Sequence, residues 1–162
     1  DRNKIAENWK TQLSNLQQVD SGGYKHQVVI HEGKGHWMGG QDAHALPWLA
    51  EFTREPFPRK IVWLQDDVLH NQFYWLSVKN PNARDKTVAT IDGQVINLQT
   101  SHVGEMSILL NDKMLDLDQT VVVTINGGSL AMYDVQRDAA ILQQTIRDAK
   151  DWYSAKIDLN IQ

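Results

Sequence analysis

The chain has 162 residues, of which 41% are hydrophobic and 22% are charged, with a formal net charge of −4 at pH 7. This composition is ordinary for a globular protein of one domain or slightly more. The mild charge has no blocks of one sign, which argues against nucleic acid or an acidic membrane as a main partner, because tracking phosphates requires clustered Lys and Arg. No run of about 20 apolar residues predicts a membrane span, and the absence of cysteine excludes disulfides and thiolate chemistry.

The first third of the chain is predicted to form a helix, a strand and a second helix. Apolar residues recur at helical spacing over about residues 4–18, which predicts an amphipathic helix. An apolar run predicts a strand over about Gln27–His31. The second helix is predicted over about Ala43–Arg54, with Asp42 as its N-cap. The prolines of Glu55–Pro58 end this helix, and we place a domain boundary after residue 57.

From residue 59 the pattern changes to the period of strands. Strands are predicted over residues 60–65, 72–78, 87–91, 94–100, 106–110, 120–125, 130–135 and near 157–161. Asp92-Gly93 and Asn126-Gly127 are typical of tight hairpins. A helix face that includes Ile141 and Ala149 precedes the last strand. We therefore predict an α+β fold, in which residues 1–57 form a helix–strand–helix piece and residues 58–162 form an antiparallel β-sandwich with one helix.

A glycine-flanked turn follows the predicted strand and presents a histidine. Gly33 and Gly35 allow a sharp backbone turn, with His36 at its tip. A histidine on a loop just past a strand end is a common way to hold a general base. The alternative is an incidental histidine on a surface loop, and spacing alone favours that alternative.

Three strings around this turn carry a family resemblance: HEGKGHWM at residues 31–38, DAHALPWLAEFTR at 42–54 and PFPRKIVWLQDD at 56–67. Together they resemble the C-terminal end of serine hydrolases of the α/β-hydrolase fold, in the esterase and prolyl-oligopeptidase-like group. In that fold the last core strand is followed by a loop with the catalytic histidine and then by a helix. The resemblance implies that His36 is this histidine. It also implies an accessory β domain over residues 58–162 and a secreted or periplasmic protein.

The rest of the catalytic triad is not evident in the sequence. The family carries its nucleophile in G-x-S-x-G, before the acid and the histidine. The nearest string is Gly127–Ala131, in which Ser129 follows His36 and fits a hairpin better. Asp1 is the only acid near the expected place. We therefore expect the nucleophile and the acid upstream of Asp1, no cofactor, and an ester or peptide substrate, small or polymeric, that is cleaved only by the parent enzyme.

The predicted strand over Gln27–His31 poses a physical problem. A single strand has no ladder partner, and its backbone groups would be unpaired if they were buried. Residues 1–57 are also too few for a sizeable core. This segment must therefore pack on the sandwich, associate with another chain such as a second copy, or complete a sheet whose other strands lie upstream. The family resemblance agrees with the third arrangement.

The sequence predicts neither a histidine-rich metal site nor a calcium site. His26 and His31 would point to opposite faces of a strand, and neither they nor Glu32 and His36 match the H-E-x-x-H spacing. The other acidic positions could in principle bind calcium but lack the pattern of an EF-hand, so solvated turns are the better interpretation. These positions are Asp66, Asp67, Asp112, Asp116 and Asp118.

The second function class is a non-catalytic β-sandwich that binds a glycan or a protein. Trp63, Tyr74 and Trp75 lie on neighbouring predicted strands, and an exposed row of them would stack on sugar rings. Surrounding apolar residues favour a place in the core instead. Trp37 could wall a pocket beside His36, although packing is the more common role. Burial of Trp63 and Trp75 and exposure of His36 distinguish the enzyme from the binding module.

Overall fold

Two units organise the chain, and each is described by itself. The structure, a computed structural model, describes residues 2–148 and 151–162. Unit 1 is Asp1–Thr53 and unit 2 is Arg54–Gln162. The described residues form three α-helices and two mostly antiparallel sheets, which confirms the predicted α+β class. Asp1, the candidate acid, and Ala149 of the predicted helix face lie outside the described residues.

Unit 1 begins with helix α1, Arg2–Val19, where the apolar spacing predicted a helix. The helix ends in a turn: the Asp20 amide donates to the Leu16 carbonyl oxygen at 3.0 Å, and the Gly23 amide donates to the Asp20 backbone and side-chain oxygens at 3.1 Å each. No residue of α1 is buried. Its apolar stripe is exposed instead, with Ile5 at 57% and Trp9 at 60%. Within unit 1, helix α1 therefore has an apolar stripe that is largely exposed.

The strand predicted over Gln27–His31 does not form, and this part of the prediction is wrong. No strand occurs among the described residues of unit 1, so the segment has no partner for a ladder. His26 joins it to α1 instead. Its Nδ1 lies 2.7 Å from the Tyr24 carbonyl oxygen, which can only accept, and its Nε2 lies 3.2 Å from the Ser14 hydroxyl. The Nδ1–H of His26 therefore donates to the Tyr24 carbonyl oxygen.

The second predicted helix is shorter than expected and starts later. A 3-10 segment covers Met38–His44, and helix α2 covers only Ala45–Ala50. Asp42 is therefore not the N-cap, because it lies within the 3-10 segment, and His44 holds that position without a side-chain bond. Pro47 lies in the first turn of α2, where a missing N–H does little harm. Among the described residues, no helix is long and apolar enough to cross a membrane.

Limited proteolysis is expected to separate the two units. Every described residue of unit 1 is exposed or half-buried, so few buried contacts oppose local unfolding of this unit. With the chain kept dilute enough to be monomeric, trypsin is expected to cleave first after Lys25 and Lys34. Intact-mass measurement would show a resistant product that contains unit 2. Lys60 is the matched control, since it is exposed but held in a strand ladder; equal cleavage rates at Lys60 and Lys25 would contradict this prediction.

Unit 2 consists of nine strands and one helix among its described residues. The strands are β1 Lys60–Leu64, β2 Gln72–Phe73, β3 Leu76–Val78, β4 Lys86–Asp92, β5 Val95–Thr100, β6 Gly104–Leu110, β7 Val121–Ile125, β8 Ser129–Tyr133 and β9 Ala155–Ile161. Helix α3, Ala139–Asp148, lies between β8 and β9 in the chain. One sheet has the order β1-β4-β5-β7-β8 and the other β2-β3-β6-β9. Among the strand pairs of the described residues, only β5–β7 is parallel.

Both sheets contribute to one buried cluster, as the predicted sandwich requires. In β9 buried and exposed residues alternate throughout, which places Ile157 and Leu159 in the core. The β4–β5 hairpin pairs Ile91 with Ile96, and both are buried, which confirms the face predicted for them. The turn residues are Gly93 and Gln94 rather than Asp92 and Gly93, and Gly93 has the left-handed φ of 56° that this turn needs.

The segment predicted as one strand over residues 72–78 is divided into two. Tyr74 has a φ of 52°, so the chain turns there, and Gln72 pairs back on Ser77. Trp75 lies in this turn with 0% exposure, and its indole N–H donates to the Pro58 carbonyl oxygen at 2.8 Å. The turn therefore inserts a large aromatic ring into the core.

Tyr153 is a buried phenol without a hydrogen-bond partner for its hydroxyl among the described residues. Burial, followed by the negative charge of Asp151, raises the pKa of this phenol above its usual value of 10.0. The folded state thus keeps a proton that the unfolded chain loses near pH 10. Below that pH this group leaves the free energy of unfolding unchanged, and above it stability falls as pH rises.

Tyr153→Phe is therefore expected to flatten the alkaline loss of stability of unit 2 while changing stability little at pH 7. The hydroxyl makes no bond that would be lost. Urea unfolding between pH 8 and pH 11 would measure this. Tyr24→Phe in unit 1 is the control and leaves the curve of unit 2 unaltered. An alkaline decline equally steep in Tyr153→Phe and in the natural sequence would contradict the assignment.

Candidate active site

The loop that carries His36 is built from two consecutive turns. The Met38 amide donates to the Gly35 carbonyl oxygen at 2.9 Å, and the Gly40 amide donates to the Trp37 carbonyl oxygen at 2.9 Å. Trp37 has φ −87° and ψ 4°, as expected for the third residue of a type I turn. His36 and Trp37 are thus the two central residues of the first turn. This places both side chains at the corner of the loop.

The backbone after the corner is left-handed for three residues. Met38, Gly39 and Gly40 have φ values of 48°, 63° and 77°. Glycine adopts this conformation freely, whereas at Met38 it costs about 1 kcal/mol. Gly33 is also left-handed, as predicted, with φ 65°, but Gly35 is not. The corner is therefore shaped mainly by the residues that follow His36.

The imidazole of His36 is exposed, as the enzymatic interpretation requires. Its contact is with Trp37: the ring centroids lie 5.0 Å apart and the ring planes meet at 81°. Trp37 is itself 80% exposed. Among the described residues of unit 1, no hydroxyl and no carboxylate bonds to the His36 ring, so both ring nitrogens are accessible to groups from elsewhere.

A largely apolar groove of about 470 Å³ lies in unit 1, next to this loop. It is lined by Gln27, Val29, His31, Met38, Gln41, Asp42, His44, Ala45, Trp48 and Leu49. Edge-to-face packing of Trp48 on Phe52, with centroids 4.8 Å apart, supports one wall. The groove has the size and apolar lining of a place where another element packs or a small ligand binds.

The other residues weighed as metal ligands are not brought together. His26 is committed to Tyr24 and Ser14, while His31 lines the groove. Over residues 2–148 and 151–162, no group of three or more His, Cys, Asp or Glu could hold a metal ion.

The acidic turns of unit 2 contain a counter-ion that sequence reasoning missed. Arg137 bonds to Asp112 through two nitrogens and to Asp118 at 2.6 Å. Hydrogen bonding to Arg137 lowers the pKa of the Asp112 carboxyl. Asp116 accepts the Asp118 amide within the same turn. The carboxylates of Asp112, Asp116 and Asp118 are thus hydrogen-bonded to an arginine or to local backbone. The sequence did not predict this ion pair, because Arg137 is distant from these residues along the chain.

Comparison with known proteins gives no relatives. No family model, no curated protein and no solved structure matches this chain. The resemblance of residues 31–67 to α/β-hydrolases therefore stays a prediction.

Two of the three tryptophans of unit 2, Trp63 and Trp75, lie in the core, whereas Trp152 is half-buried. Trp63 is 6% exposed and Trp75 is 0% exposed, so neither can stack on a sugar at the surface. Ser129 pairs with Ile125 as the first residue of β8, in the hairpin that its sequence predicted.

A carboxylate–imidazole pair in unit 2 was also not foreseen. His102 is 1% exposed, and its Nδ1 lies 2.9 Å from the Asp85 carboxylate, which also accepts the Asn82 amide. The Nε2 of His102 is buried and has no hydrogen-bond partner among the described residues. Because this nitrogen is closed to solvent, the pair resembles catalytic machinery in composition but cannot reach a substrate.

Proposed function

We propose that this chain is the C-terminal portion of a serine hydrolase that cleaves carboxylic esters or peptides, and that His36 is its catalytic base. The observation that carries this proposal is an exposed imidazole at the corner of a double turn, within a unit whose described residues are all exposed or half-buried. The hydrolase supplies the nucleophile and the acid from outside residues 1–162, and no cofactor is needed.

The absence of described partners in unit 1 for the His36 ring supports the proposal, because the proposed role requires two bonds to groups from elsewhere. In a serine hydrolase one imidazole nitrogen takes the proton of the serine and passes it to the leaving group, while the other donates to a carboxylate. Both nitrogens of His36 are free of partners among the described residues of unit 1. A histidine already bonded on both sides, as His26 is, could not serve in this way.

The exposure of unit 1 also supports the proposal. Trp9 is 60% exposed on α1 and Leu49 is 54% exposed on α2. The segment 27–31 carries apolar side chains, and its residues 27–30 make no backbone–backbone hydrogen bond within the described part of the chain, so a neighbouring strand would satisfy them. A sheet and helices supplied by the remainder of a hydrolase domain would cover these surfaces. Self-association through residues 1–57 stays a prediction for the chain on its own, because a second copy could cover the same face.

The β unit is then an accessory domain. Its core takes up Trp63 and Trp75, the two tryptophans on which the glycan-stacking form of the alternative function depends, so that form loses its main support. Binding of a protein by the outer faces of the sheets stays untested. The enzymatic proposal is preferred because its distinguishing residue, His36, is exposed whereas Trp63 and Trp75 are buried.

A fluorophosphonate probe tests the proposal, because it labels only an activated serine. In the full natural protein that carries these residues, the expected label lies on a serine outside residues 1–162 and is strongly reduced by His36→Gln. The control is His70→Gln, an exposed histidine of unit 2, which leaves labelling intact. The 162-residue chain alone is expected to stay unlabelled. Labelling of a serine within residues 1–162, or no labelling of the full protein, would refute the proposal.

A further inference from the structure

Trp37 is an exposed residue of unit 1 that lies directly beside the candidate base, His36. Its side chain is 80% exposed, although an indole is large and mostly apolar. The contact that the structure shows for it is the edge-to-face arrangement with His36. The closing bond of the turn, from the Met38 amide to the Gly35 carbonyl oxygen at 2.9 Å, holds the two residues at the same corner.

The position of Trp37 relates it to one part of the substrate. Under the proposed function, His36 delivers a proton to the oxygen of the leaving group, and this requires a hydrogen-bond distance of about 3 Å. The centroid of the Trp37 ring lies 5.0 Å from that of His36. This separation is short enough for a group attached to the leaving oxygen to contact the indole when it lies on the Trp37 side of the imidazole.

We infer that Trp37 forms the leaving-group subsite and that it selects esters of ring-bearing alcohols. This inference rests on the proposed function. An indole offers a broad apolar face with an electron-rich centre, onto which aromatic rings stack and against which the C–H groups of a pyranose pack. An open-chain alcohol has no such face and gains little there. The shared chemistry of the preferred alcohols is a six-membered ring next to the ester oxygen, either aromatic or a pyranose.

Binding by the 162-residue chain gives the first test and does not depend on hydrolysis. The Trp37 indole N–H resonance, assigned by its loss in Trp37→Phe, is followed during titration with benzyl alcohol, with methyl β-glucoside and with isopropanol. A saturable shift is expected with at least one of the ring-bearing alcohols and not with isopropanol. Whichever ring-bearing alcohol binds more tightly shows whether the preferred ring is aromatic or a pyranose. Equal responses to all three alcohols, or none, would overturn the inference.

Kinetics of the full natural protein give the second test. The quantity compared is kcat/KM for a ring-bearing ester divided by kcat/KM for the methyl ester of the same acid. The ring-bearing ester is the benzyl ester, or the glucosyl ester if the sugar bound better. This ratio is expected to fall about 5-fold in Trp37→Leu, which keeps apolar bulk but removes the ring. Trp37→Phe keeps a ring and is expected to retain most of the ratio. An unchanged ratio in Trp37→Leu refutes the inference while leaving His36 as the base. Hydrolysis that persists without His36 refutes the proposed function instead.

Discussion

Replacing His36 by alanine in the full natural protein is expected to lower kcat/KM for an activated ester by about 10⁶-fold. Alanine cannot accept the proton of the serine, so the nucleophile attacks in its weakly reactive neutral form. Substrate binding does not depend on this proton transfer, so the loss should lie mainly in kcat. Initial rates with a p-nitrophenyl ester measure both constants.

Two controls separate a chemical role of His36 from a structural one. Added imidazole is expected to restore part of the rate to His36→Ala, because a free base can enter the space that the side chain leaves. His70→Gln removes another exposed imidazole and should retain the natural rate. A His36→Ala protein within about threefold of the natural rate would show that the histidine is an incidental loop residue; the factor is far below the loss expected for a triad member.

Replacing Trp75 by alanine is expected to destabilise unit 2 by about 3–5 kcal/mol. The ring has 0% exposure and lies in the cluster that both sheets share. Its removal leaves a cavity and also frees the Pro58 carbonyl oxygen, which accepts the indole N–H at 2.8 Å. Domains of this size are stable by about 5–15 kcal/mol, so the variant should be close to unfolding at 37 °C.

Urea unfolding followed by far-UV circular dichroism would measure the effect. Trp75→Phe fills much of the cavity but loses the hydrogen bond, and an intermediate loss of about 1–3 kcal/mol is expected. The matched control is Val103→Ala, since Val103 is 64% exposed in the same unit and should change stability by less than about 0.5 kcal/mol. Equal midpoints for Trp75→Ala and Val103→Ala would place the indole outside the core.

Side-chain alternation predicted most of unit 2 correctly. Ile157 and Leu159 alternate with polar residues, and Ile91 and Ile96 fall on one face of a hairpin; all four are buried. A strand with one face on a core must place apolar residues at every second position, and this rule acts within a few residues. The exposure of His36 was also readable, because a glycine-flanked turn lies at the surface.

The incorrect predictions share one cause: a local sequence pattern does not show which distant segment the element will pack against or pair with. Residues 72–78 are rich in strand formers, yet the chain turns at Tyr74 so that Trp75 enters the core. The segment 27–31 has the composition of a buried strand but has no strand to pair with in unit 1. Asp42 has the chemistry of an N-cap, but the preceding left-handed residues start a 3-10 segment and shift the helix to Ala45.

The amino-acid sequence by itself determined which side chains of unit 2 face inward and where its hairpins form, because periodicity and turn chemistry operate between near neighbours. Only the tertiary structure decided which strands share a sheet, including the parallel pairing of β5 with β7. It also decided the long-range pairs, such as the two 2.6 Å bonds between Arg54 and Asp151, 97 residues apart. Such contacts depend on how the whole chain closes on itself, and closure between distant segments leaves no signature in the residues on either side.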